Sequence, residues 1–343
     1  MKYKAIAEWE KPKSIFFVYP EQLPQLRYKI GRFQLTELYD DLIRTMLDNI
    51  QINLIIKSRT IEEKFDYSYP KMKMIYLPGV QDIWIRDWAP ILARDKSGNT
   101  TGIKFIYSPA YLTKSETKDD NTGKQLMQYI KMTFVEVPLV LDGGNFTHNG
   151  KGIGIVTNRV INDNENLSIN EIKDIFEHNL GIEKLIFIPV EPGDETGHTD
   201  GSVRFINENT LLVGAYPETY RNSENLILPN EFKESKEHMD RLAEFLQSEL
   251  GNDFKIITVT NAIPRNPEQK DGFSSAFGNY INYLRVGKEI YLPQYGIPED
   301  LDALILFQNN FKELEIIPVD SKEIKKLSYE GGVLNCISWI LYR

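Results

Sequence analysis

Five times along this chain an amphipathic helical pattern gives way to a short apolar strand that stops at a polar loop, and an alternating segment follows each loop. The helical patterns cover residues 36–50, 123–132, 168–180, 230–250 and 299–309. The clearest sets Leu38, Leu42, Met46 and Leu47 on one face, with Asp40, Asp41, Arg44 and Asp48 mostly elsewhere. Apolar strands are expected at 52–56 with 72–77, then at 134–140, 184–190, 254–259 and 313–319. Residues 83–93, 144–156, 202–213, 279–292 and 333–341 alternate as strands or hairpins do. Strand and helix alternating throughout define an α/β chain. The helices recur at uneven intervals, so a structural unit is repeated rather than a sequence. No Gly/Ser-rich or Pro-rich linker interrupts the pattern, and residues 1–343 read as one domain of five similar units.

The unusual residues sit in the loops. The first loop carries Trp84, Arg86, Asp87 and Trp88; the second, Asp142-Gly143-Gly144-Asn145; the third, Gly197-His198-Thr199-Asp200. The fourth carries Tyr280-Ile281-Asn282, and the fifth holds Cys336 behind Gly331-Gly332. Each has a bland reading on its own. A lone cysteine is usually a small buried hydrophobe, Asp-Gly-Gly-Asn is an ordinary turn, and Trp-Ile-Arg-Asp-Trp suits a surface strand with a cation-π contact. His198 and Asp200 are more informative, because alternation along an extended segment puts both on one side. If the five units are arranged alike, the loops meet, and one pocket then holds a thiol, an imidazole and several carboxylates. The other histidines, His148, His178 and His238, lie in a hairpin and on two helices without metal-ligand spacing, so no metal is expected.

Composition removes other classes. The net charge of -9 disfavours a nucleic-acid partner and suits a cationic ligand. A single cysteine rules out an internal disulfide and points to a reducing, cytoplasmic setting. The first ten residues carry charge throughout and show no secretory signal. The longest apolar stretches, 14–20 and 211–216, are far shorter than the roughly 18 residues that span a bilayer, so no membrane partner is expected.

Trp84-Ile85-Arg86-Asp87, Asp142-Gly143-Gly144-Asn145, Gly197-His198-Thr199-Asp200, Tyr280-Ile281-Asn282 and the Gly-Gly…Cys336 ending occur in the order and approximate spacing of the agmatine deiminase and bacterial-type peptidylarginine deiminase family. Ala7-Glu8-Trp9-Glu10 and Val18-Tyr19-Pro20 resemble its N-terminal signature, so the resemblance covers nearly the whole chain. It implies the guanidine-modifying, or pentein, superfamily, whose fold is a five-unit pseudo-symmetric α/β propeller. It also implies hydrolysis of a guanidinium to a ureido product and ammonia with no cofactor. The substrate is then a small cationic guanidinium compound such as agmatine, or an arginyl peptide. Free-arginine or peptidylarginine deimination to citrulline, amidino transfer to an amine and double hydrolysis to ornithine-like products are the related outcomes, and a pocket that binds without turnover is the non-enzymatic one.

The resemblance assigns Cys336 as nucleophile, His198 as general acid and base, and Asp87 and Asp200 as the cation clamp. Asp142 supports the clamp, Asn282 is a polar neighbour, and Trp84 lines the pocket against the substrate's aliphatic part. Many agmatine deiminases have Glu where Asp142 stands and His where Asn335 precedes the cysteine. Asp142 followed by Gly-Gly-Asn points toward the arginine-processing branch, with Arg86, Arg204 or Arg285 available to meet a substrate carboxylate. The hairpins expected at the surface allow a homodimer.

Overall fold

A computed structural model describes residues 2–20, 23, 32–46, 49–60, 71–112, 118–218, 229–262, 275–320 and 322–343. The chain opens with strands β1 (Tyr3–Ala5) and β2 (Pro12–Val18), helix α1 (Arg32–Met46), and β3 (Gln51–Ile56) and β4 (Met72–Tyr76). A helical turn, α2 (Ile85–Trp88), precedes β5 (Ile91–Asp95), β6 (Thr100–Ile106), α3 (Asp119–Tyr129) and β7 (Phe134–Val140). Next come β8 (Thr147–His148), β9 (Ile153–Thr157), α4 (Arg159–Asn162), α5 (Ile169–Leu180) and β10 (Lys184–Ile188). Strands β11 (Val203–Asn207) and β12 (Thr210–Ala215), helix α6 (Pro229–Leu250) and β13 (Lys255–Thr260) follow. The chain closes with β14 (Leu284–Val286), β15 (Glu289–Gln294), α7 (Glu299–Asn310), β16 (Glu315–Asp320), α8 (Lys322–Ser328) and β17 (Ser338–Tyr342).

The described strands form five sheets. Each contains the same three-strand core, in which one antiparallel pair is followed by one parallel pair. These cores are β17-β2-β3, β5-β6-β7, β8-β9-β10, β11-β12-β13 and β14-β15-β16. Strands β4 and β1 add an outer member to the first two cores. The parallel step needs a crossover, and the recurring helices lie between those strands in the chain. The first core draws on both ends of the chain, with Ser338 opposite Phe17 and Trp339 opposite Phe16.

Helix α5 shows how local sequence sets its bounds. Ser168 and Glu171 form a reciprocal capping box, and Gly181 ends the helix in the left-handed conformation at φ 68°. Its Ile172, Phe176 and Leu180 are buried, with spacing that keeps one face inward. In α1, Leu38, Leu42 and Met46 are likewise buried, whereas Leu47 and Asp48 lie outside the described residues.

Several segments differ from expectation: within residues 279–292 the first strand begins only at Leu284, and Thr199–Gly201 is a helical turn, so alternation does not put His198 and Asp200 on one side. Within residues 83–93 the stretch from Ile85 to Trp88 is a helical turn, and the strand begins only at Ile91. The turn buries Ile85 and Trp88 together and presents Asp87 to the next loop, which an extended strand would not do. Trp84 and Trp88 are buried, at 8% and 0% exposure, so this is not a surface strand. Within residues 333–341 the strand starts only at Ser338; just before it the Asn335 amide is bound to Asn282 of the fourth loop and the Cys336 carbonyl accepts from the Arg86 amide.

Candidate active site

Each chemistry-bearing loop lies just ahead of the first strand of one three-strand core, so a shared architecture delivers all five to related positions. Hydrogen bonds then join them in a closed ring. The Gly144 amide donates to Asp87 Oδ1 at 3.1 Å, and Thr199 Oγ1 donates to the Gly144 carbonyl at 3.1 Å. Asn279 Nδ2 donates to the Gly201 carbonyl at 2.7 Å, and the Asn335 amide donates to Asn282 Oδ1 at 3.1 Å. The Arg86 amide closes the ring on the Cys336 carbonyl at 3.2 Å.

Within the ring, Cys336 Sγ lies 3.2 Å from Asn282 Nδ2 and 3.7 Å from Asp200 Oδ2. Asp200 Oδ2 also accepts from Asn335 Nδ2 at 2.6 Å. The His198 ring stands between two carboxylates, with Nε2 3.0 Å from Asp142 Oδ2 and Nδ1 3.6 Å from Asp87 Oδ1. Tyr111 Oη donates to Asp142 Oδ2 at 2.5 Å and lies 3.2 Å from His198 Nε2. Gly144 makes this crowding feasible. A Cβ there would sit 2.7 Å from both Asp87 Oδ1 and His198 Nδ1.

The electrostatics follow from burial and proximity. Burial, with Asp142 and Asp200 adding to it, raises the Asp87 carboxyl to about 7, although His198 pulls the other way. Burial alone would lower His198, but Asp87 and the bond to Asp142 outweigh it and raise the imidazole to about 10. Burial and the Asp200 and Asp87 charges push the Cys336 thiol well above its ordinary value. At neutral pH the pocket therefore holds a protonated imidazole and a neutral thiol, and a cation bound beside the sulfur would favour the thiolate.

These shifts fix a pH profile. Below about 7 Asp87 is protonated and cannot pair with a cation, and above about 10 His198 can no longer act as a proton donor. The kcat/KM of the free enzyme is expected to rise with pH through the first value and fall through the second, as apparent constants of the coupled group. A pH series of initial rates checks this; a profile flat across pH 6–8 contradicts it.

The structure brings Cys336, His198, Asp87, Asp200, Asp142 and Asn282 together. A cavity of about 590 Å3 opens onto Cys336, His198, Asp200 and Asn282. Its described lining continues through Glu191, Asp194, Glu195 and Glu234 and contains no Lys or Arg. Trp84 is not part of that lining; its ring packs against Gly332, where a Cβ would approach to 2.6 Å. Arg86 also faces away. Its Nε donates to the Asn335 carbonyl at 3.4 Å, and it borders a separate cavity of about 60 Å3 beside Glu8. Arg204 is bound to Glu8 at 2.5 Å, and Arg285 donates to the Gly287 carbonyl at 2.9 Å. None of the three arginines lines the large cavity, so the expectation that one meets a substrate carboxylate there is corrected.

Sequence reasoning missed Tyr111, a single tyrosine in an irregular segment with no motif around it. Among the described residues no group of three or more His, Cys, Asp or Glu is arranged to hold a metal ion, and no helix is long and apolar enough to cross a membrane.

The fold is mixed α/β, and it gathers a thiol, an imidazole and several carboxylates in one cluster. The fold matches a Cys-to-Ser variant of C. jejuni agmatine deiminase with substrate bound (TM-score 0.80, 18% identity, 99% of this chain and 96% of that one). It also matches the agmatine deiminase of Enterococcus faecalis catalyzing its reaction (TM-score 0.80, 20% identity, 99% and 95%). The agmatine deiminase of Pseudomonas aeruginosa is 24% identical over 75% of this chain and 73% of its own. The model of the Porphyromonas-type peptidyl-arginine deiminase family matches residues 4–341, and the chain belongs to that family, hydrolases of carbon–nitrogen bonds.

Proposed function

We propose that the chain is a cysteine-dependent deiminase that converts the guanidinium of agmatine to the ureido group of N-carbamoylputrescine, releasing ammonia. One arrangement carries the reading: a thiol beside Asp200, on the same cavity as an imidazolium held between Asp87 and Asp142. Asp142 Oδ1 and Asn335 Oδ1 are moreover buried acceptors without a hydrogen-bond partner among the described residues. A planar cation with five N–H donors is the ligand such a surplus of acceptors suits.

Asp87 and Asp200 grip the guanidinium nitrogens and lower the cost of a thiolate beside them. The Cys336 thiol gives up its proton to solvent as the cation binds, and the thiolate sulfur bonds to the central carbon; the C–N bond then breaks as His198 protonates the departing nitrogen, which leaves as ammonia. The thiouronium remains on the sulfur. Neutral His198 then takes a proton from water as its oxygen bonds to the carbon, the C–S bond breaks, and the ureido product leaves. The five cores and the closed hydrogen-bond ring support a single-domain, five-unit propeller with the site on its axis. A cytoplasmic setting accords with a working thiol.

The described cavity wall favours agmatine over free arginine, because beyond His198 a substrate carboxylate would face four acidic side chains and no described Lys or Arg. The family match favours an arginyl peptide as the second reading. Ammonia release from agmatine, arginine and arginyl peptides separates these. Agmatine is expected to exceed free arginine in kcat/KM by roughly 100-fold, the scale of a like-charge penalty. If no compound yields ammonia while one still raises the melting temperature, the enzyme reading is lost.

A further inference from the structure

We infer that Tyr111 is a positioning residue for the proton transfers of His198, acting through the shared oxygen Asp142 Oδ2; this rests on the deiminase reading. Asp142 Oδ2 takes two partners, the Tyr111 hydroxyl at 2.5 Å and His198 Nε2 at 3.0 Å. The hydroxyl also stands 3.2 Å from Nε2, so the three polar groups form a closed triangle. Nε2 is thereby occupied, and exchange of protons with the substrate falls to Nδ1, which faces Asp87, the carboxylate that grips the guanidinium.

The triangle has an electrostatic consequence. A short bond to a charged acceptor is a strong one, and the Tyr111 proton withdraws part of the Asp142 charge from His198. Without it, Asp142 would hold the imidazolium harder. The first half-reaction needs His198 to give its proton; the second needs it neutral, able to take one from water. A base held too firmly protonated slows the second step while leaving the cation clamp intact. Tyr111 is itself fixed from two sides, its ring edge-on to His198 with centroids 6.1 Å apart and under the Arg159 guanidinium at 5.4 Å.

Tyr111→Phe keeps both ring contacts and removes only the hydroxyl. Expected are a kcat lower by about 10- to 100-fold, the scale of impaired acid–base positioning, and a KM changed by less than roughly threefold. The alkaline limb of the pH profile and the His198 titration midpoint, read by NMR, should both move to higher pH. Unchanged kcat with an unchanged midpoint overturns the inference, as does a rise in KM alone. Should the wild-type protein release no ammonia from any guanidine compound, the deiminase reading falls, and the His198 titration in the two proteins still decides whether Tyr111 governs that imidazole.

Discussion

Cys336→Ala is expected to lower kcat on the order of 10,000-fold or more while leaving the protein folded and able to bind substrate. The magnitude is that of removing a nucleophile for which no other group in the site can substitute. Cys336 is the sole cysteine of the chain, and among the described residues its Sγ is the thiol held beside Asp200 and Asn282. The fold should lose little, about 1 kcal/mol, because a single sulfur is deleted from a loop held by backbone and amide hydrogen bonds. Binding should survive, since Asp87 and Asp200 remain. Thermal melting, calorimetric binding and ammonia release on one preparation check all three parts. Near-normal turnover in the variant would remove the covalent mechanism.

Asp87→Asn acts on the other half of the site and should weaken substrate binding itself. One wall of the clamp then lacks its charge, while the guanidinium must still shed water to enter. Losing one partner of a buried charge-assisted pair costs about 3 kcal/mol, or roughly 100-fold in Kd. The acid limb of the pH profile should also vanish, because the group raised to about 7 is gone. An Asn side chain keeps the shape and can still accept from the Gly144 amide, so the loss is one of charge. Unchanged affinity together with an unchanged acid limb would assign the clamp elsewhere.

The site was largely legible in the sequence because its residues occupy one structural position five times over. Asp87, Asp142, His198 with Asp200, Asn282 and Cys336 each fall in the loop ahead of a core's first strand, so loop order located them together; alternation did not, because Thr199–Gly201 is a helical turn rather than extended chain. What escaped depends on folding at long range. Tyr111 reaches Asp142 from an irregular segment 31 residues away, and no periodicity marks a hydroxyl that will meet a carboxylate. Arg86 shares a motif with Asp87, yet successive residues of a helical turn point in different directions. One faces the His198 pocket and the other the Asn335 carbonyl and the smaller cavity. The pairing of β2 with β17 joins residues more than 300 positions apart, and neither segment's local pattern carries that register.

Asn335 illustrates a substitution that the structure explains. Its amide holds Asp200 Oδ2 at 2.6 Å and its backbone is bound to Asn282, so it orients Asp200 and the Cys336 loop together. That role uses a neutral donor, which leaves the Asp200 charge for the substrate.

The most direct test of the account is rapid acid quench during turnover of the guanidine substrate that the protein hydrolyses, followed by mass spectrometry of the peptide containing Cys336. A transient amidino adduct on Cys336, formed as ammonia is released and lost as ureido product appears, is the predicted result. Turnover that proceeds with Cys336 unmodified at every quench time, and that persists in Cys336→Ala, would contradict it.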